Sequence, residues 1–198
     1  ATTQTVLAMA PDTVIIATGS GPNRTLFPHA DNIPVLAATD AIDLLAGHDA
    51  PHWSRVIVLD RDLYFATGAL AEWLASRDAE VHLVSYHQMI GHDLPAANLT
   101  RMLGRLDALG VTTYPAHDLA HIDKQRAVLR HAYSNRAKDL GAIDAVVVSG
   151  LHRADDGLAL AVRAARPALE VRVVGDALAP RSIKDAVHEG DHAGREII

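Results

Sequence analysis

Short runs of β-branched and aliphatic residues alternate along the chain with longer stretches where alanine and leucine recur at helical spacing. Thr13-Val14-Ile15-Ile16-Ala17 is continuously apolar, as a buried strand is, and Gly19-Ser20-Gly21-Pro22 stops it. Residues 12–39 otherwise read as a polar, proline-punctuated connection. Thr39 then suits a helix N-cap, with Asp40 in the first turn and Gly47 after the last apolar residue, Leu45. Arg55 to Asp60 predicts a second strand, Thr67 to Arg77 a helix, and Val81 to Ser85 a third strand. Asn98 to Leu109 predicts a helix with Leu99, Met102, Leu103 and Leu106 on one face and Gly110 as its stop.

Val111 to Tyr114 reads as strand. Residues 118–122 and 127–133 predict a hairpin turning at Asp123-Lys124-Gln125. Ala145 to Val148 and Val171 to Val174 are strands, Gly157 to Ala165 is a short helix, and Ser182 caps a terminal helix reaching Ile198. Strands alternating with helices predict an α/β fold: a Rossmann-like, mostly parallel sheet with helices on both faces. Residues 51–150 form a self-contained unit of this kind. Residues 1–50 and 151–198 read as pieces of a second nucleotide-binding sheet, with the middle unit inserted between them.

Composition narrows the function classes. Lysine and arginine total 18 against 24 acidic residues, a net charge of −6, without the basic stripe of a nucleic-acid surface. Apolar residues make up 49%, enough for a core, yet no run approaches the roughly 20 residues of a membrane span. Cysteine is absent, which excludes disulfides, a thiol nucleophile and any cysteine-held zinc or iron–sulfur centre within this chain. No secretory signal opens the sequence. Together these features give a cytoplasmic protein as the expectation. The first residue is not methionine, and the expectation is a processed product or an excised fragment.

Two stretches carry candidate chemistry. In Thr18-Gly19-Ser20 a strand delivers a hydroxyl and a glycine where a ligand can approach the backbone. In Val173-Val174-Gly175-Asp176 a strand ends on a glycine and a carboxylate placed to accept from sugar hydroxyls. Arg181 and Ser182 then open a helix whose positive end could face a pyrophosphate or a flavin edge. The competing reading is a solvated strand-end aspartate.

The order of these features, an Ala-Thr-Gly strand end, a middle Rossmann unit and a closing Gly-Asp strand with a final helix, resembles the two-dinucleotide-domain flavoproteins. The closing stretch Gly175 to Ile183, then Asp185 to Gly190 and Ala193-Gly194-Arg195, is similar to the carboxyl end of the trimethylamine dehydrogenase, histamine dehydrogenase and 2,4-dienoyl-CoA reductase group. Val56 to Glu72 resembles its amine-dehydrogenase branch. The resemblance implies a carboxyl-terminal, ADP- or FAD-type nucleotide-binding fragment of an oxidoreductase. It implies a preceding barrel of the same polypeptide, carrying FMN and a 4Fe-4S cluster, and a homo-oligomer when intact. It makes Thr18, Gly19, Ser20, Gly175, Asp176, Arg181 and Ser182 the cofactor-binding residues. No catalytic residue is expected here, and the isolated fragment is expected to be inactive. The alternative is a non-catalytic interaction or dimerisation module on a vestigial nucleotide fold.

One departure bears on pyridine nucleotides. The strand Val56 to Leu59 would run into G-x-G-x-x-G in a working dinucleotide site. Here the turn reads Asp60-Arg61-Asp62-Leu63-Tyr64-Phe65, and two carboxylates stand where pyrophosphate would lie. They also suit the positive end of the following helix, so the protein can satisfy that end itself. This argues against the third reading, a stand-alone NAD(P)-dependent reductase. Histidine pairs at four-residue spacing, His48/His52, His117/His121 and His188/His192, lack a third ligand and read as ordinary polar positions.

Overall fold

The computed structural model describes residues 1–30 and 32–197. Ile198, expected in the last helix, lies outside the described residues. The chain divides into two units, residues 24–151 and residues 1–23 with 152–198.

The middle unit is built on a five-stranded parallel sheet. In chain order its elements are β3 (Val35–Ala37), α2 (Ala38–Ala46), β4 (Arg55–Arg61), α3 (Phe65–Ala75), β5 (Glu80–Ser85), α4 (Ala96–Ala108) and β6 (Thr112–Tyr114). Then come β7 (His117–Asp123), β8 (Arg126–His131), β9 (Ala137–Ala142) and β10 (Ala145–Gly150). The sheet order is β3-β10-β4-β5-β6, and β7-β8-β9 form a separate antiparallel sheet. Alternation along the strands sorts the core into two layers. Val56, Val58, Val81, Leu83 and Val147 pack on Ala41, Leu70, Leu74, Met102 and Leu106 of the helices. Ile57, Leu59, Val84, Val146 and Val148 pack on Ala127 and Leu129 of β8. One face of the sheet therefore carries helices. The other is covered by a small antiparallel sheet, which the expectation of helices on both faces did not include.

Residues 24–50, expected with the flanks, lie in this middle unit, because β3 pairs with β10. At three residues β3 is too short to carry a periodic signal. The helix expected to be capped by Thr39 is capped two residues earlier, at Ala37, without a side-chain bond. The hairpin turn is as read, with Lys124 and Gln125 both at positive φ. β9 escaped the sequence reading because Ala137–Ala142 has no alternating pattern.

The second unit contains α1 (Thr3–Ala8), β1 (Thr13–Ile16), β2 (Ser20–Pro22), β11 (His152–Ala154), α5 (Gly157–Ala165), β12 (Glu170–Val173) and α6 (Ile183–Arg195). β1 and β12 pair in parallel, and β2 and β11 antiparallel. Val14, Ile16, Val171 and Val173 pack with Ala159 of α5 and with Ala177. β1 was expected to be fully buried, but Ile15 is 38% exposed. Ile15 stands on the face of the strand opposite Val14 and Ile16, which take the packing with α5.

Candidate nucleotide site

In the unit of β1 and β12 the candidate residues gather at the carboxyl ends of the two strands. The Val174 N–H donates to the Ile16 carbonyl at 3.0 Å and carries the pairing one step past β12. The chain then turns through a 3-10 turn at Gly175–Ala177. Gly175 has a φ of +62°, and a Cβ there would press on Ala186 at 3.2 Å, so the turn requires glycine. Asp176 is held from two sides. One carboxylate oxygen accepts from the Ser20 hydroxyl at 3.1 Å, and the other from the Arg181 backbone N–H at 3.1 Å. Ser20 Oγ also lies 3.4 Å from His152 Nδ1. With the single hydroxyl proton given to Asp176, the contact to His152 runs from an Nδ1–H donor to the oxygen.

The remaining candidates are tied elsewhere. Thr18 donates its hydroxyl to the Asp155 carbonyl, and the Asp155 N–H donates to the Gly19 carbonyl at 2.9 Å. Ser182 caps α6 in a capping box with Asp185. Its backbone N–H donates to the Asp185 carboxylate at 3.1 Å, and its hydroxyl donates there at 2.7 Å. The Ser182 hydroxyl, then the Ser182 N–H, hold the Asp185 carboxyl below its ordinary range, with Arg181 and Lys184 adding to the effect. Arg181 pairs with Glu189 and donates Nε–H to the Ala179 carbonyl at 3.2 Å.

Glu189 is the residue the sequence reading missed. Its Oε2 accepts from the Gly175 N–H at 2.7 Å while Oε1 takes Arg181, so one side chain of α6 braces both ends of the Gly-Asp turn. Its seven-residue spacing from Ser182, two helical turns along one face, was the available signal.

The chemistry of this corner suits a hydroxyl better than a phosphate. Asp176 is a carboxylate whose present partners are a rotatable hydroxyl and one N–H, so a sugar diol can take the place of Ser20. The backbone at Gly19 has open space beside it. The start of α6, by contrast, is already capped, and a pyrophosphate there would meet Asp185. These residues fit the sugar part of an adenine nucleotide or flavin. Arg181 commits only part of its five N–H donors to Glu189 and Ala179.

The turn after β4 shows the opposite arrangement. Asp60 is fully buried and accepts from the Leu63 N–H at 3.0 Å and the Gly91 N–H at 3.3 Å. Asp62 accepts from the Ala66 N–H at 3.1 Å in the first turn of α3. A donor in the first turn of α3, the Ala66 N–H, is thus already taken by the protein's own carboxylate. Gly150 ends β10 at a φ of +99°, with the Arg61 carbonyl carbon 2.5 Å from where a Cβ would stand. Arg61 itself pairs with Asp118. Beside it, at the carboxyl ends of β4 and β10, lies a cleft of about 370 Å³ with Phe27, Leu59 and Val148 in its walls. Among the described residues no group of three or more His, Asp or Glu side chains is placed to hold a metal. Nor is any helix long and apolar enough to cross a membrane.

No family model matches the sequence. A probable N-methylproline demethylase of Rhizobium meliloti (strain 1021) is 28% identical over 121 residues, which are 61% of this chain and 17% of that protein. The fold matches histamine dehydrogenase from Rhizobium sp. 4-9 with a TM-score of 0.87 at 24% identity, over 99% of this chain and 30% of that one. It matches the 6-hydroxypseudooxynicotine amine oxidase HisD of Pseudomonas geniculata N1 with a TM-score of 0.82 at 24% identity, over 98% of this chain and 30% of that one. The resemblance to the histamine dehydrogenase group thus holds in fold along nearly the whole chain. The chain spans under a third of the length of these solved proteins.

Proposed function

We propose that this chain is the carboxyl-terminal nucleotide-holding part of a larger amine-dehydrogenase-like oxidoreductase, and that it binds ADP or the ADP half of FAD. The observation that carries the reading is the Gly175-Asp176 turn, wired to Ser20 and Arg181 at the carboxyl ends of two parallel strands. In an open parallel sheet that is where nucleotides are received. Asp176 accepts from ribose or ribityl hydroxyls, Ser20 turns with it, Gly19 lets the ligand approach the backbone, and Arg181 meets the phosphates. Thr18 and Ser182 act indirectly, by fixing the 155 loop and the start of α6. Gly175 supplies the turn.

In this proposal the middle unit does not take NAD(H), because Asp60 and Asp62 occupy the donors a pyrophosphate needs. Redox chemistry belongs to FMN and a 4Fe-4S cluster in a preceding barrel of the same polypeptide. This chain acts by holding a nucleotide and supporting that assembly in a cytoplasmic homo-oligomer, and it is inactive alone. The bracing of the middle turn by the protein's own carboxylates also favours a second reading, a purely structural interaction module.

Calorimetric titration with ADP, and with NADH in parallel, separates these. Heat with ADP and none with NADH is the expected result. Binding of NADH overturns the reading of the Asp60 turn and restores the reductase. Silence with both leaves the structural module.

A further inference from the structure

His82 lies in β5, between Val81 and Leu83 of the helix-side core, so its ring falls on the face covered by the antiparallel sheet. The residue is 5% exposed, and neither ring nitrogen has a hydrogen-bond partner among the described residues. Leaving a buried imidazole unpaired costs free energy, and charging it there costs far more.

Its charged neighbours come from every element around it. From β5, Glu80 Oε1 lies 3.3 Å from Nε2, outside hydrogen-bond geometry. From β4, Arg55 already holds Glu80, with contacts of 2.7 and 2.9 Å to its other oxygen. From β6, the Tyr114 ring is 5.7 Å away. From β9, Lys138 Nζ sits 5.1 Å from the centre of that ring. From β7, the His117 ring lies 6.0 Å from that of Tyr114. A proton on His82 therefore adds a cation to a neighbourhood that already holds Arg55 and Lys138, and the carboxylate facing it, Glu80, is shared with Arg55. Burial pushes the His82 imidazole below its ordinary value, outweighing the upward pull of Glu80, and Arg55 and Lys138 add smaller pushes in the same downward direction.

We propose that His82 is a proton-operated latch: a proton on its ring releases the antiparallel sheet β7-β8-β9 from the parallel sheet while the β4–β10 ladder stays intact. Opening hydrates the ring and separates it from Lys138. The element released includes β7, whose Asp118 pairs with Arg61 at the cleft, so acidification also opens that cleft. The linkage has a definite sign. The closed state binds the proton more weakly than the open one, whose hydrated imidazole titrates near 6.5. Closure is thus complete above that pH. Below it closure weakens by up to about tenfold per pH unit, until the closed ring itself titrates.

Hydrogen exchange on the whole chain, corrected for the intrinsic pH dependence, tests this. The expected result is protection in residues 117–142 that falls below about pH 6.5 with a limiting slope of about tenfold per unit, while β4 and β10 hold. In His82→Phe that slope disappears. Protection that ignores pH, or falls equally in both sheets, overturns the latch. So does a slope that survives in His82→Phe, which would belong to His117, His121 or His131. Where the variant does not fold, the His82 ring is followed by NMR in the native chain. A ring that titrates near its ordinary value overturns the proposal.

Discussion

Asp176 is one carboxylate with two different kinds of partner, and they have different consequences. The Arg181 N–H is backbone and fixes the turn; the Ser20 hydroxyl is a side chain that can rotate away. Asp176→Ala is expected to weaken ADP binding by about 1.5–3 kcal/mol, the range for a hydrogen bond to a charged group. Titration of the variant beside the native chain measures it. An unchanged affinity would return Asp176 to a solvated strand end. Asp60, also a strand-end carboxylate in a parallel sheet, is closed to ligands because two backbone N–H groups from 63 and 91 already reach it. The sequence made the first residue a candidate and cast doubt on the second site. For Glu189 the one local signal was its seven-residue spacing from Ser182, which puts it on the face of the helix start but does not by itself link it to a glycine fourteen residues earlier.

Elements with a strong local signal formed where the pattern placed them. α5 runs Gly157–Ala165 as read, and α6 starts at the capping box that Ser182 and Asp185 announce. Ser182→Ala removes that cap and is expected to cost about 1 kcal/mol. Thermal unfolding followed by helix circular dichroism reads the loss. Conserved stability would show that the Arg181–Glu189 pair and the contact with the Gly175 turn hold the helix start without the cap. The elements that escaped are short or lack amphipathic alternation. β3 spans three residues and exists because β10 offers it an edge, and β9 exists because β8 does. Pairing across the chain supplies what their own residues do not.

The two units should answer acid differently. Both tryptophans, Trp53 and Trp73, lie in the middle unit, so fluorescence reports that unit alone. Its unfolding midpoint is expected to begin falling near pH 6.5, where an unfolded His82 takes up a proton that the buried ring refuses. In the other unit the groups held below their ordinary range are carboxyls. Glu170 is held by hydrogen bonds from Arg172 and Thr13, and Asp185 by those from Ser182. Their contribution is present at neutral pH and is lost only as pH falls through about 4 and below. Both are open to solvent, so the effect there is small. Denaturant curves at pH 7.5, 5.5 and 4, read by fluorescence and by helix circular dichroism, check the order. Coincident curves at every pH would mean the units unfold as one.

Composition and periodicity alone established an α/β chain with a middle Rossmann-like unit and flanks that pair with each other, and offered a Gly-Asp strand end as a candidate place for a ligand. Those properties are local: a buried strand is apolar, the start of α6 carries its own cap, and the crowded turn at Gly175 takes a glycine. Long-range pairing settled the rest. It drew residues 24–50 into the middle sheet, put an antiparallel sheet where helices were expected, set Glu189 under Gly175, and left His82 buried beside cations from β4 and β9. Partners far apart in sequence meet only when strands choose their neighbours, and no residue's own pattern records that choice.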